Sequence, residues 1–240
     1  MLQFIDTHIH LQDFKADFAP PVLNCADAKR MITVSTREAD YDKIADLMQK
    51  YPEKIIGAFG VHPWYAKENF DADKLSDMLK KFPQALVGEI GVDELKEKVS
   101  AEQHEIFSLQ LKAAKEFGRP VLVHAAKAFE ALTIHETELK KVKYVYHGYV
   151  KNFELLKFII RTGGYVGLGR LFLKQTKAKA LWQEMPKDRI LFETDAPYQF
   201  NEDGYLESVQ ENLTALADIA EMSAPELAEM LVANSERFLK

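Results

Sequence analysis

The sequence predicts an α/β protein of the TIM-type (β/α)8 barrel class, forming one domain over residues 1–240, on three observations. Eight short β-rich runs recur along the chain, segments with helical periodicity separate them, and the length is close to that of one such barrel. The runs cover residues 3–6, 31–34, 55–59, 85–88, 121–123, 144–146, 165–168 and 190–193. Between them the pattern changes period. Phe107, Leu111, Ala114 and Phe117 recur at steps of three and four, Gly118 supplies a stop, and Pro120 opens the next strand. Eight such alternations favour a closed parallel barrel over a doubly wound open sheet. Helices predicted over 206–220 and 225–238 close the outer ring, and no Ser/Gly-rich linker, low-complexity tract or longer repeat marks a boundary.

Composition bounds the function. With 47% hydrophobic and 28% charged residues the chain buries a sizeable core and folds alone. A net charge of -6 argues against coating duplex nucleic acid through a broad basic face, but leaves room for a phosphate-bearing substrate in one pocket. Cys25 is the only cysteine, so no intrachain disulfide forms and a reducing compartment fits. The first residues carry neither a basic leader nor a long apolar stretch, and no later run approaches a membrane span. These features predict a cytoplasmic protein with no membrane association and no obligatory protein partner.

His8 and His10 are one residue apart in an extended segment, so both side chains leave one face of strand one and can meet a single ion; Asp6 shares that face. Taken alone the pair is a weak motif. It gains weight from Glu89, His124, His147 and Asp195, which are expected at the ends of strands four, five, six and eight. In a barrel the carboxyl ends of the strands meet at one mouth, so these residues become neighbours without further assumption. Each histidine taken singly could be a hydrogen-bonded core residue, and Asp195 before Ala196-Pro197 could cap a turn. Six imidazoles and carboxylates packed together without a metal would leave buried polar groups desolvated.

Six donors exceed what one tetrahedral ion uses, and a carboxylate can bridge two ions, a part that falls to Glu89. Four neutral histidines and two carboxylates carry -2, so two divalent ions leave the site positive and attractive to an anionic substrate. Histidine-rich ligation favours Zn, Mn, Co or Ni over Mg, although phosphodiester enzymes often use Mg.

In this order the residues resemble the TatD family of metal-dependent nucleases within the amidohydrolase superfamily. The segments that carry the resemblance are Asp6-Thr7-His8-Ile9-His10-Leu11, Gly60-Val61-His62-Pro63, Gly88-Glu89-Ile90-Gly91-Val92-Asp93, Pro120-Val121-Leu122-Val123-His124, Tyr146-His147-Gly148 and Glu193-Thr194-Asp195-Ala196-Pro197-Tyr198. Gln103, Phe107, Gln110 and the segment from Asn234 to Phe238 add to it. The resemblance implies one ion on His8, His10, Glu89 and Asp195, and another on Glu89, His124 and His147. It also implies hydrolysis of phosphodiester bonds in DNA, with Asp195 and Glu89 catalytic and Asp195 orienting or deprotonating the attacking water. Glu89 stands where other superfamily members bridge their metals with a carboxylated lysine. The chain departs from the family pattern after His124, where Ala125-Ala126-Lys127 replaces a polar residue and Arg. It departs again after His147, where Gly148-Tyr149-Val150-Lys151 replaces Cys-Phe-Ser-Gly.

Outside the metal shell, His62, Trp64 and Arg170 are the candidate substrate-binding residues: His62 for a phosphate, Trp64 as a stacking platform, and Arg170 with Lys174 as cations. Lys127 and Lys151 could replace the missing family residues. Asp93 and Glu193 are candidates for orienting ligands, or for turn and salt-bridge roles. His104 and His135 are expected in helices as surface or packing residues. The clusters Lys140, Lys141, Lys143 and Glu94, Lys96, Glu97, Lys98 read as solvated faces. Departures from the family pattern keep two other functions open: an amidohydrolase-type enzyme acting on a small ester, amide or lactone, and a catalytically idle metal-binding scaffold.

Overall fold

In a computed structural model, residues 1–15, 19–68, 70–149, 152–200 and 204–240 are described. The chain runs β1 (Phe4–Ile9), α1 (Ala19–Asn24), β2 (Ala28–Val34), α2 (Tyr41–Lys50), β3 (Ile55–Phe59), α3 (Ala72–Lys81), β4 (Leu86–Asp93) and α4 (Ala101–Phe117). It continues through β5 (Val121–Ala126), α5 (Phe129–Thr133), α6 (Glu136–Leu139), β6 (Tyr144–Tyr146), α7 (Phe153–Arg161), β7 (Tyr165–Leu168), α8 (Arg170–Leu173), α9 (Ala178–Glu184), β8 (Ile190–Phe192), α10 (Tyr205–Ala220) and α11 (Ala224–Leu239). Eight strands pair in parallel in chain order. The seam between first and last is drawn together past β8: the Asp195 N–H donates to the His8 carbonyl at 2.8 Å and the His10 N–H to the Ala196 carbonyl at 2.8 Å. The bonds that bring the barrel round to closure are therefore made by two of the segments the sequence marks for chemistry.

Side-chain alternation sorts the strand residues into two apolar layers. Met31, Ile55, Val87, Val121, Val123 and Ile190 pack toward the helices, whereas Ile32, Ile56, Leu86, Leu122, Val145 and Leu191 fill the barrel interior. Phe238 of α11 joins that interior cluster beside Tyr165, with ring centroids 5.1 Å apart. Two residues further along three strands, the interior row turns from Leu122 to His124, from Val145 to His147 and from Leu191 to Glu193. The apolar plug thus gives way to a polar floor at the carboxyl ends.

The helices follow from local signals. Ser100 caps α4 by accepting the Gln103 N–H, and the buried stripe Ile106, Phe107, Leu111 and Ala114 faces the barrel until Gly118, at φ 64°, ends it. Ser223 and Glu226 form a capping box on α11, which buries Leu227, Leu231 and Phe238. Truncating Phe107, 1% exposed, would cost about 3–5 kcal/mol. Among the described residues no helix is long and apolar enough to cross a membrane.

Several strand boundaries differ from the sequence reading, and three of them bear on the site. β1 extends to Ile9, so His8 lies within the strand, and β4 runs to Asp93, so Glu89 lies inside it rather than at its end. All eight residues of β4, Gly88 and Gly91 among them, are buried. A Cβ on Gly91 would stand 1.9 Å from the His124 carbonyl oxygen, so glycine is what lets β5 come this close. β8 ends at Phe192, and Asp195 lies three residues beyond in a left-handed conformation with φ 56°.

Candidate metal centre

Asp6 anchors the floor from below. Its buried carboxylate accepts from the backbone N–H groups of His8 and Thr194, from the Thr194 hydroxyl at 2.6 Å and from the Tyr205 hydroxyl at 2.7 Å. One side chain thereby fixes β1, which carries His8 and leads directly into His10, against the segment that carries Asp195. Burial pushes Asp6 up to about 7, against the pull of these four donors.

Glu89 faces two ways. Its Oε2 lies 3.4 Å from His8 Nε2 and 3.9 Å from His10 Nε2, while its Oε1 lies 2.9 Å from His124 Nδ1, 3.8 Å from His147 Nε2 and 3.9 Å from His62 Nε2. Asp195 Oδ1 is 3.3 Å from His10 Nε2 and 3.8 Å from His8 Nε2, and its Oδ2 accepts from the Gln199 amide at 2.7 Å.

These spacings fit metal binding. Donors of a four-coordinate ion at about 2.0–2.2 Å stand roughly 3.3–3.6 Å from one another. His8 Nε2 and His10 Nε2 are 3.3 Å apart and the carboxylate oxygens complete the set at 3.3–3.9 Å. His10 is oriented by Nδ1 against the Val34 carbonyl at 2.8 Å, which leaves Nε2 for the centre. The second set, His124 and His147 on Glu89 Oε1, is backed by carboxylates: His124 Nε2 meets Asp93 Oδ2 at 2.7 Å and His147 Nδ1 lies 3.1 Å from Glu193 Oε1. The His147–Glu193 contact is ion-pair close but off the line of a full hydrogen bond, and Glu193 Oε1 instead takes the Gly148 N–H at 2.5 Å. Gly167 makes room for that carboxylate, since a Cβ there would stand 2.1 Å from Glu193 Oε2. The donor atoms converge in three groups, His8 with His10 and Asp195, His8 with Glu89 and His147, and His62 with Asp93 and His124, so His124 and His147 fall in different groups and two residues expected outside the metal shell lie against it.

Charge balance differs from the sequence expectation. Burial lowers His147, but Glu193, Asp195 and Glu89 outweigh it and hold the ring at about 10; His10 and His124 are likewise raised against burial, by Asp195 and by Asp93 with Glu89. Burial alone would raise Asp195, and the bond to His10 and the charges of His147 and His8 bring it down to about 2. Glu89 is held well below the usual carboxylate range against burial. Only part of that pull operates near neutral pH: burial keeps His8 and His62 neutral, whereas the His124 hydrogen bond persists. The metal-free cluster therefore stores protons where cations would sit. With Asp93 and Glu193 included, four carboxylates offset two divalent ions, so the expected net positive charge is largely cancelled.

His62 caps the turn at Pro63–Tyr65. Its Nδ1 accepts the Trp64 N–H at 3.1 Å, so the neutral ring carries its proton on Nε2, toward Glu89. Burial lowers His62 to about 3, keeping it in that form. Trp64, 44% exposed, bonds Asp93 through its side chain, and Lys96 Nζ stands 3.6 Å from its ring centroid. Lys96 was expected on a solvated face; the exposed indole draws it over the ring instead. A cavity of about 290 Å³ sits above the floor, with Trp64, Tyr65, Leu95 and Tyr198 on its rim and, among the described residues, no Lys or Arg in its lining. Arg170 is outside it, exposed, donating to the Gln199 carbonyl at 3.2 Å and 5.9 Å from the Phe200 ring. Lys174 borders a separate cleft, Lys127 is exposed, and Lys151 lies outside the described residues. His135 is buried between α5 and α6 and bonds His104 at 2.8 Å, a packing role.

Gln199 had no sequence signal, because nothing in its type or spacing announces a bond to Asp195. Asp6 was noticed as sharing a face with the histidines; its four donors appear only when β1 and the last strand meet.

A parallel barrel with imidazoles and carboxylates gathered at the carboxyl ends of its strands is the architecture of a metal-dependent hydrolase. The chain belongs to the TatD related DNase family, whose sequence profile matches residues 5–240. It is 27% identical over 217 residues to an uncharacterized metal-dependent hydrolase of Haemophilus influenzae, covering 82% of each chain. It is 25% identical to the uncharacterized metal-dependent hydrolase YabD of Bacillus subtilis, over 98% of each. Among solved structures, the TatD homologue YjjV of Escherichia coli superposes with a TM-score of 0.84 at 24% identity, covering 98% of this chain and 97% of that one.

Proposed function

We propose that this hydrolase is a TatD-like deoxyribonuclease that uses two divalent ions, one held by His8, His10, Glu89 and Asp195 and the other by Glu89, His124 and His147. The observation that carries the reading is the division of Glu89, with one oxygen facing His8 and His10 and the other facing His124 and His147. Bound there, divalent ions of the Zn, Mn, Mg, Co or Ni type supply Lewis acidity toward a phosphoryl oxygen and make water more acidic. Asp195, kept ionised by its surroundings, orients the attacking water and takes its proton. The Nε2–H of His62 donates to a non-bridging phosphoryl oxygen, and Asp93 and Glu193 keep His124 and His147 turned toward Glu89. Trp64 and Tyr198 flank the entrance, where a terminal base can stack. The buried free thiol of Cys25 fits a reducing compartment, and we assign the enzyme to the cytoplasm.

One observation favours a second reading. Among the described residues the cavity lining has no Lys or Arg and its rim is aromatic and aliphatic, which suits a small ester, amide or lactone better than a polyanion. Digestion of an end-labelled single-stranded oligonucleotide separates the two. Metal-dependent cleavage by wild type, lost in Glu89→Ala and Asp195→Ala, supports the nuclease. Intact oligonucleotide with metal-dependent turnover of a lactone or aryl ester supports the second reading, and a metal-loaded protein inert on every substrate would leave a binding scaffold.

A further inference from the structure

We propose that the opposite end of the barrel carries a separate anion site, which takes the phosphoryl group of a small molecule. A cavity of about 370 Å³ opens beside Ala85, Pro120 and Lys143, which precede β4, β5 and β6, so it lies at the amino ends of the strands and away from the metal floor. Lys115, Arg119, Lys141 and Lys143 border it, and among the described residues no Asp or Glu side chain does. Lys240 lies on the same rim. In a chain of net charge -6 this concentration of cations is not a product of composition.

Helix ends explain only part of it. The carboxyl ends of α3, α4 and α11 meet here, and each offers about half a negative charge, so together they offset roughly one and a half of four positive charges. No ion pair among the described residues uses any of the four. Lys115 and Lys141 also border a neighbouring groove that holds Glu105 and Glu138, but neither reaches a carboxylate, and Glu138 is engaged with His135. Arg119 supplies the most directional sign. Its guanidinium is anchored on the Leu79 carbonyl at 3.4 Å, while its buried Nε meets no acceptor. A buried guanidinium N–H without an acceptor, beside three ammonium groups around a concavity, suits a phosphoryl dianion, which accepts from several directions at once. The volume is near the lower end of small-ligand sites and holds one phosphomonoester, not a nucleic-acid strand.

Calorimetric titration of the metal-loaded full chain with inorganic phosphate and with AMP at low ionic strength tests this. The metal floor also attracts phosphate, so wild type is compared with Glu89→Gln, with Lys115→Gln/Lys141→Gln, whose changes lie on the exposed rim, and with Arg119→Met. The expected result is a binding event that persists in Glu89→Gln, weakens about tenfold or more in the lysine double variant and in Arg119→Met, and fades with added salt, while metal content and melting temperature of the double variant stay at wild type. AMP and phosphate binding alike would assign the site to the phosphoryl group alone, and tighter AMP would assign it to a nucleotide. Unchanged affinity in the lysine double variant, or no event that survives Glu89→Gln, would overturn the proposal. Neither outcome depends on whether the metal floor cleaves DNA.

Discussion

The side-chain amide of Gln199 donates a 2.7 Å hydrogen bond to Asp195 Oδ2, and that bond settles which oxygen Asp195 turns toward His8 and His10. Gln199 is half-buried and touches none of the other proposed ligands directly. It positions the carboxylate proposed to manage the attacking water, while contributing no charge of its own. Gln199→Leu is therefore expected to lower kcat about 10–100-fold with KM little changed. Gln199→Glu should do worse, because it sets a second carboxylate against the first. Steady-state kinetics with metal analysis of each variant checks this; full activity in Gln199→Leu would remove the role.

Asp93 stands to His124 as Gln199 stands to Asp195. With Asp93 Oδ2 at 2.7 Å on Nε2, the ring is held with Nδ1 toward Glu89. Asp93→Ala should weaken the ion proposed on His124 and His147 by about 10–100-fold and leave the one proposed on His8 and His10 nearly unchanged. A competition titration with a chromophoric chelator would show one affinity falling and the other holding. Equal losses at both would mean that Asp93 supports the whole floor.

Metal affinity should rise with pH. Without metal, Glu193, Asp195 and Glu89 hold His147 at about 10 against burial, so at pH 7.5 the ring is protonated and must release that proton to bind a cation. Affinity at that position is expected to grow about tenfold per pH unit between 7 and 9, with proton release visible as a buffer-dependent heat. The sign for folding is the reverse. A histidine raised in the folded state stabilises the metal-free protein fully below its unfolded value near 6.5, and that contribution is lost as pH rises toward 10. A flat affinity from pH 7 to 9 would contradict the assignment.

Replacing Asp6 tests the seam. Four donors point at its two oxygens, and an asparagine would turn an amide N–H₂ toward two of them. Asp6→Asn is expected to destabilise the fold by about 1–3 kcal/mol in denaturant unfolding and to reduce metal content, because His8 and Asp195 lose their common anchor. Wild-type stability and metal content would show that the seam holds without it.

The barrel and its polar floor were legible in the sequence because both rest on short-range regularities. Period-two strands separated by period-three-and-four helices give the alternation, and donors near strand ends give the floor. β4 was read as Ala85 to Gly88, starting one residue early and stopping five short of Asp93, because Gly91 fits the strand only where the His124 carbonyl is pressed against it. Lys96 looked solvated until Trp64 lay under it, and the Gln199 bond depends on a left-handed Asp195 that no residue type announces. Arg170 read as a phosphate cation by its place after β7, yet its guanidinium turns to the Gln199 carbonyl and the Phe200 ring. What escaped the sequence consists of contacts that depend on the folded backbone, whether the partners lie far apart in the chain, as Lys96 and Trp64 do, or four residues apart, as Gln199 and Asp195 do.

Counting ions per chain by elemental mass spectrometry in wild type, Glu89→Ala, His10→Ala and His124→Ala tests the two-ion floor most directly. Wild type is expected to hold about two ions, each histidine variant about one, and Glu89→Ala close to none, since both positions share its carboxylate. Two ions retained in Glu89→Ala would contradict the bridge, and a wild type that holds one would contradict the two-ion centre itself.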